Sequence, residues 1–470
     1  MCGIFGVYGH DHAAALVHLG LYSLQHRGQE SAGIVAVDRG AAAHGVRKMG
    51  LVSEGLTGAE LEALSGPLAI GHTRYSTAGT SSIDNAQPSL ARFKGGHIAL
   101  AHNGNLTNAT EIRRELEDQG SIFNSTMDSE VIVHRLAKAS ARAPEEKLAQ
   151  ALLGVEGAYS LLVIIGNSCS RLGTRAVGGP WSSVGSATRG WWRARPALDI
   201  CGATLVREVE PGEIVTMDAA GMRSLSALPR AELKRCVFEH VYFARPDSYV
   251  FGGSVDRARR ALGRRLAIEQ PALGADLVFA VPDSSNSAAL GFAEKSGLPL
   301  ELALIRNHYI GRTFIQPNQG DRDAKVKVKY NPVKEVLAGK SVVMVDDSIV
   351  RGTTTKGLVA LVRGAGAREV HMRVSSPPIK WPCFYGIDTP RREELIAAHH
   401  SLDSIAQQIG VDSIGYLSMQ GKLGAVPGGP SGFCHACFSG DYPTAPPSDS
   451  DKLRFTSSFS VPEQGSLVTR

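Results

Sequence analysis

The chain has 470 residues, a formal net charge of +5 and seven cysteines. That length supports two or three domains with separate cores. The small positive excess is not gathered into Lys/Arg runs, which argues against nucleic acid or an anionic membrane surface as a partner and leaves anionic small substrates. No apolar run approaches the roughly 18 residues of a membrane span, and Met-Cys-Gly-Ile-Phe lacks the basic start of a secretory signal, so a cytoplasmic location is expected. An odd cysteine count in such a chain points to thiol or metal chemistry rather than to a disulfide framework.

Cys2 comes first. If Met1 is removed, this residue carries a thiol and a free α-amine, a nucleophile with its own base, although on position alone a frayed terminus is the favoured reading. Three further stretches place polar groups beside glycines at the ends of apolar runs: Gln25-His-Arg-Gly-Gln-Glu-Ser-Ala-Gly33, Gly71-His-Thr-Arg-Tyr-Ser-Thr77 and Ala101-His-Asn-Gly-Asn105. Apolar spacing then predicts helices from Asn108 to Leu116, Asp128 to Lys138 and Glu145 to Leu153, and a strand from Ala158 to Ile165. Together with Met-Cys-Gly-Ile, these stretches resemble the N-terminal-nucleophile glutaminase domain of class II amidotransferases. The resemblance implies an αββα sandwich, with Cys2 as nucleophile, Asn103 and Gly104 as oxyanion donors, and Arg74 and Asp128 as clamps for the carboxylate and amine of glutamine.

From Asn167 to Pro196 the chain changes character: five arginines, no Lys, Asp or Glu, and three of the four tryptophans. The Arg-Asp-Pro-x-Gly-x-Arg-Pro motif of related amidotransferases is missing there, and the family pattern resumes at Ala197. A compensated reading-frame shift accounts for this most economically, and it predicts loss or rewriting of two core strands. Cys236 then opens Arg235-Cys-Val-Phe-Glu-His-Val-Tyr-Phe-Ala-Arg-Pro-Asp247, which reads as a strand-like run. Leu277 to Val281 reads as a buried strand opening onto Ser284 and a helix, whose N-cap that hydroxyl could supply. Arg312 to Pro332 is polar and basic.

The stretch Ser341-Val-Val-Met-Val-Asp-Asp-Ser-Ile-Val-Arg-Gly-Thr-Thr-Thr355 carries most of the argument. Its apolar run without alternation predicts a strand buried on both faces of a parallel sheet. Asp346 and Asp347 stand at its carboxyl end, where open α/β sheets bind ligands, and the Gly/Thr turn offers amides and hydroxyls to a phosphate. No Walker A loop is present, although the acidic strand end alone also fits a Walker B reading. The wording resembles the phosphoribosyl pyrophosphate (PRPP) signature of type I phosphoribosyltransferases. That resemblance implies a parallel-sheet domain in which Asp346 and Asp347 engage ribose hydroxyls and Mg²⁺ with Ser284. It also implies that Arg351, Gly352, Thr353 and Thr354 wrap the 5′-phosphate, and that Arg322 and Lys329 sit on a loop closing over PRPP.

Cys434-His-Ala-Cys437 with Cys236 and Cys383 makes four thiolates, enough for zinc or a [4Fe–4S] cluster, and spacing does not separate these. The four positions match the cluster ligands of the iron–sulfur subgroup of glutamine amidophosphoribosyltransferases, which implies the cluster; Cys169 and Cys201 have no such match. The expected layout is a glutaminase domain over 1–235, a phosphoribosyltransferase domain over 236–440 and a disordered tail over 441–470. The expected activity is transfer of glutamine-derived ammonia to PRPP, giving 5-phosphoribosylamine, glutamate and pyrophosphate, the opening step of purine synthesis in that family. The family also implies feedback by purine nucleotides and a homotetramer. A sugar-isomerase amidotransferase would not carry the 341–355 signature. The rival of a different class is a non-catalytic or ammonia-only PRPP-binding protein with a defective glutaminase domain.

Overall fold

The computed structural model describes all residues except 77–78, 167, 173–181, 187–188, 193–194, 227, 229–232, 309–327, 390 and 448–470, with the side chains of 168–195 also outside the description. The chain divides into two compact units. The first comprises residues 1–234 with 384–388 and the segment from 443 onward; the second comprises 235–383 and 389–442. Among the described residues no helix is long and apolar enough to cross a membrane.

The first unit is built on strands β1 (Gly3–Tyr8), β2 (Ser31–Val37), β3 (Ala43–Met49), β4 (Leu68–Arg74), β5 (Ser89–Phe93), β6 (Gly96–Leu106) and β7 (Gly157–Ile165). After these come β8 (Ser168–Leu172), β9 (Ser182–Ser186), β10 (Arg189–Trp192), β11 (Arg207–Glu208), β12 (Ile214–Asp218) and β13 (Gly221–Leu225). One sheet runs in the order β11-β9-β10-β1-β4-β2-β3, the other β13-β12-β8-β7-β6-β5. Ile4, Val35 and Ile70 of the first sheet meet Ala101, Leu162 and Ile164 of the second in a shared core. The outer face of the first sheet is covered by the helix Ala13–Ser23 through Val17 and Leu21. The second is covered by Ala109–Asp118, Glu130–Lys138 and Pro144–Ala151. This is the expected αββα sandwich, and the three helices lie within a few residues of their predicted spans.

Of the two outcomes expected for the core strands around 167–196, loss or rewriting, the described residues show strands still in place: β8 lies between β7 and β12, and β10 pairs with β1, in register Gly6 with Trp192. Backbone pairing depends on the neighbouring strand more than on side-chain pattern, so a stretch without amphipathic periodicity still fills the sheet position its neighbours leave.

The second unit holds β14 (Arg235–Cys236), β15 (Tyr249–Val250), β16 (Gly253–Ser254), β17 (Leu277–Ala280), β18 (Leu304–Arg306), β19 (Tyr330–Pro332), β20 (Ser341–Asp346), β21 (Glu369–Val374), β22 (Ser413–Tyr416) and β23 (Phe433–Cys434). A parallel sheet β17-β20-β21-β22 forms its centre. Every residue of β20 is buried: Val342 and Met344 face one core, Val343 and Val345 another that includes Leu262 and Phe292 of the helices Val255–Glu269 and Asn286–Ser296. A side chain such as Phe292 buried on such a face contributes about 1.5–3 kcal/mol.

The strand-like run predicted over Arg235–Asp247 is corrected. Only Arg235–Cys236 is a strand, pairing with β23, and Glu239–Phe243 forms a π-helical turn. The buried Arg259 guanidinium stabilises that turn by donating to the carbonyls of His240 (3.0 Å) and Ala244 (2.7 Å). Residues 441–447 of the predicted tail are described and bonded to the rest of the chain. Tyr442 donates its hydroxyl to the Pro382 carbonyl at 2.7 Å, and the Thr444 amide donates to the Tyr385 hydroxyl at 3.0 Å. Residues 448–470 of that prediction lie outside the described residues.

Candidate active sites

In the first unit β1 carries Cys2 at its start, β4 ends at Arg74, and β6 brings Asn103 and Gly104 to the same place. The Cys2 backbone N–H donates to Asn103 Oδ1 at 2.8 Å, so removal of Met1 leaves the new α-amine on that acceptor. The sulfur lies against the Tyr75 backbone, 3.4 Å from its carbonyl and 3.5 Å from its amide. Gly104 has φ +143°, and a Cβ there would come within 1.9 Å of the Ala158 carbonyl on β7. Only glycine allows this turn of the peptide within a paired strand.

Arg74 is buried and its pKa is lowered by that burial, opposed by the charges of Cys2, Glu30 and Asp128. These four groups therefore form one electrostatic cluster. Glu30 accepts from Arg74 Nη1 (3.4 Å), the Ser76 amide (3.1 Å) and the Ser76 hydroxyl (2.9 Å). Asp128 accepts from the Leu106 amide at 2.8 Å and stands 3.6 Å from His102 Nδ1. The loop before Asp128 is fixed by Glu130, which accepts from the amides of Asn124 and Ser125 at 2.8 and 2.9 Å, and by Asn85, whose Nδ2 donates to Thr126 Oγ1 at 2.7 Å. Sequence reasoning placed Cys2, Arg74, Asn103, Gly104 and Asp128, and the fold brings them together. It missed Glu30 and also Arg27, whose Nε donates to the Cys2 carbonyl at 3.1 Å. Both lie in the Gln25–Gly33 stretch, whose density of polar groups beside glycine was the available signal.

In the second unit Asp346 and Asp347 stand buried at the carboxyl end of β20. The Ser284 hydroxyl donates to Asp347 at 2.6 Å, the Ser285 hydroxyl to Asp346 at 3.1 Å and the Ser348 hydroxyl to Asp347 at 2.6 Å. Ser284 therefore serves the acids; the N-cap of the helix Asn286–Ser296 is Ser285, without a side-chain cap bond. Burial and the neighbouring Asp347 push Asp346 well above the usual carboxylate range. Burial also raises Asp347, against the serine hydroxyls and the Arg259 guanidinium. Two adjacent carboxyls held out of water with one fixed cation nearby suit an incoming cation or hydroxyl donors.

Gly352 follows at φ +77° as N-cap of the helix Thr353–Gly364, where a Cβ would meet Ile396 at 2.8 Å. Thr353 and Thr354 are exposed at that N-terminus, whose amides suit a phosphate. The Arg351 side chain is turned to Glu394, at 2.9 Å on the surface. Lys329 lies 5.2 Å from the Tyr330 ring centroid; Arg322 lies outside the described residues. Arg259 and Ser285 were not found from sequence, since each depends on a contact across more than 60 positions of chain.

None of the six described cysteines is in a disulfide. Cys236 and Cys434 sit opposite each other in the β14–β23 pair, and the Lys380 and Trp381 amides donate to the Cys437 carbonyl at 3.0 and 3.1 Å. Burial raises the Cys236 thiol, with further rises from Cys383, Cys434 and Cys437, so the four sulfurs share one locus. Among the described residues no group of three or more His, Cys, Asp or Glu side chains is placed to hold a single metal ion. Lys422 is fully buried beside Cys437, Cys236 and Cys434, and its pKa is lowered to about 7 by that burial. Cys201 is separate, donating to the Leu16 carbonyl at 3.6 Å with its pKa raised to about 11 by burial, an inert thiol.

A buried N-terminal cysteine among amide and carboxylate clamps, on an αββα sandwich, defines a class II glutaminase; the second unit adds a phosphoribosyltransferase-type parallel sheet. Residues 72–172 match the family model "Glutamine amidotransferase domain". Over the whole length the chain is 45% identical to an amidophosphoribosyltransferase of Bacillus subtilis, covering 94% of each chain. It is 45% identical to the chloroplastic amidophosphoribosyltransferase 2 of Arabidopsis thaliana, covering 96% of this chain and 81% of that one. Among solved structures it matches the "allosteric regulatory enzyme of purine biosynthesis" at TM-score 0.90 and 44% identity, over 97% of this chain and 99% of that one. It also matches the glutamine PRPP amidotransferase of B. subtilis complexed with ADP and GMP, at TM-score 0.88 and 43% identity over 96% and 99%. The chain belongs to the amidophosphoribosyltransferase family.

Proposed function

We infer that this protein transfers glutamine-derived ammonia to PRPP, forming 5-phosphoribosylamine, glutamate and pyrophosphate. The observation that carries the reading is the convergence of Cys2, Asn103, Gly104, Arg74 and Asp128 in a chain that matches amidophosphoribosyltransferases along nearly its whole length. Arg74 and Asp128 bind the α-carboxylate and α-amine of glutamine. The Cys2 thiol gives its proton to the α-amine held on Asn103 as the sulfur attacks the side-chain amide carbon. The Gly104 N–H and Asn103 Nδ2 receive the developing oxyanion, where one donor is worth about 10²–10³ in rate. As the intermediate collapses the C–N bond breaks, the departing nitrogen takes the proton back from the α-amine and leaves as ammonia, and water hydrolyses the remaining thioester to glutamate.

Ammonia then attacks C1 of PRPP and pyrophosphate leaves. Asp346, Asp347 and Ser284 would hold Mg²⁺, which when bound neutralises diphosphate charge; the Thr353–Gly364 helix N-terminus takes the 5′-phosphate. Cys236, Cys383, Cys434 and Cys437 would hold a [4Fe–4S] cluster, which when bound cross-links three segments distant in sequence. The donor set of four mutually interacting sulfurs beside one buried cation supports that assignment. Feedback by purine nucleotides is supported by the ADP and GMP on the solved B. subtilis relative. A homotetramer is proposed on family resemblance alone, and a cytoplasmic location on likeness to the bacterial amidophosphoribosyltransferases.

The test compares phosphoribosylamine formation from PRPP with glutamine and with ammonium, on anaerobically purified protein with verified Met1 removal. Activity with both donors is expected. Activity with ammonium alone would return the chain to the defective-glutaminase reading, and activity with neither would overturn the enzyme.

A further inference from the structure

Lys422 lies on the short helix Met419–Ala425, whose N-cap Ser418 accepts from the Gly421 amide at 2.9 Å and is itself anchored to Glu269 at 2.8 and 3.0 Å. That anchoring turns Lys422 inward, where it has no solvent exposure and its Nζ has no hydrogen-bond acceptor among the described residues. The ammonium sits 3.4 Å from the centroid of the Phe438 ring, next in sequence to Cys437. The groups around it that would favour its charge are the sulfurs of Cys437, Cys236 and Cys434. An ammonium under protein without an acceptor is unfavourable, and a cation–π contact offsets only part of that cost. Such a site persists where an anion completes it.

We propose that Lys422 is the buried counter-charge of the cluster held by Cys236, Cys383, Cys434 and Cys437, offering its N–H groups toward sulfur and stabilising the more reduced, more negative state. The proposal rests on the cluster reading above. A cluster's reduction potential follows its net charge, the hydrogen bonds to its sulfurs and its exposure. A buried lysine with no acceptor among the described residues supplies the first two while adding no water. Lys422 is thus a positioning residue for that group and touches no substrate.

The experiment uses anaerobically purified full-length protein, wild type and the variants Lys422→Met, which keeps the packing, and Lys422→Gln, which keeps a donor but no charge. Iron and acid-labile sulfide are determined, the reduction potential is titrated by visible absorbance and electron paramagnetic resonance, and iron loss in air is timed. We expect both variants to titrate at lower potential, with Lys422→Met losing iron about 10–100-fold faster, as for other outer partners of metal sites. After cluster removal the order reverses: Lys422→Met apoprotein melts higher than wild-type apoprotein, because it no longer buries an uncompensated ammonium. Iron-loaded variants with the wild-type potential and iron retention overturn the role of Lys422 and leave the cluster standing. Wild-type protein lacking iron and sulfide overturns both.

Discussion

Gly104→Ala tests the oxyanion assignment most directly. The new Cβ would lie 1.9 Å from the Ala158 carbonyl oxygen, against a practical minimum of 3.0 Å, so the two strands must part locally by 3.0 − 1.9 = 1.1 Å. The residue also holds φ +143°, which costs a side chain about 1–3 kcal/mol. Oxyanion donors act at about 2.7–3.1 Å, and a displacement near 1 Å typically costs about 10²-fold in rate. We expect glutamine-dependent phosphoribosylamine formation to fall about 10²-fold, with ammonium-dependent formation unchanged because the second unit is untouched. The assay follows both donors on one preparation, with glutaminase measured separately as glutamate release. Wild-type glutamate release in a folded Gly104→Ala protein would refute the assignment of that amide.

Three further outcomes follow from the same geometry. Glu30→Gln keeps the hydrogen bonds to Ser76 but removes the charge beside Arg74; losing a charged hydrogen bond of about 1.5–3 kcal/mol raises KM for glutamine about 10–100-fold without altering ammonium-dependent activity, as steady-state kinetics will read. Asp347→Asn, at a carboxylate bonded by Ser284 and Ser348, lowers phosphoribosylamine formation with both donors while glutamate release from glutamine persists. Glu213 sets an acid limit: burial alone would raise it, but Arg207, the Ser224 hydroxyl and the Glu210 amide hold it at about 2 against an ordinary 4.5. The folded chain then binds fewer protons than the unfolded chain, so this contribution is present above pH 4.5 and lost as pH falls through 2. Glu213→Gln should flatten that part of the stability curve in denaturant titrations.

What the sequence disclosed follows from the range of each interaction. β20 was legible because burial on both faces leaves an unbroken apolar run, and the acids at its end sit one residue on from that run. Cys2, Arg74 and Asn103 were legible as a set, because each lies in a short polar stretch that also contains glycine and the stretches in this order resemble a known glutaminase. Glu30 was not singled out, since its role depends on Ser76, 46 residues away, and Ser285 was not, since its acceptor Asp346 is 61 away. Residues 167–196 are the opposite case. Side-chain periodicity vanished while β8, β9 and β10 still paired, because ladder hydrogen bonds require only a neighbour with unpaired amides.

The sites share one electrostatic construction, and it explains why local sequence rules fail at them. Arg74 stands among Cys2, Glu30 and Asp128; Asp346 and Asp347 stand with Arg259 as their fixed cation; Lys422 stands among thiols. In each, a charge is held under protein with less compensation than a stable core would choose, at a cost carried by the αββα or parallel-sheet scaffold around it. On the proposed function, the carboxylate and ammonium of glutamine would complete the first set, and PRPP with a magnesium ion the second. The same logic requires an anion for the third. An apoprotein with an uncompensated Lys422 ammonium is therefore predicted to be the weakest state of the second unit, and its melting temperature relative to Lys422→Met measures that burial without any contribution from catalysis.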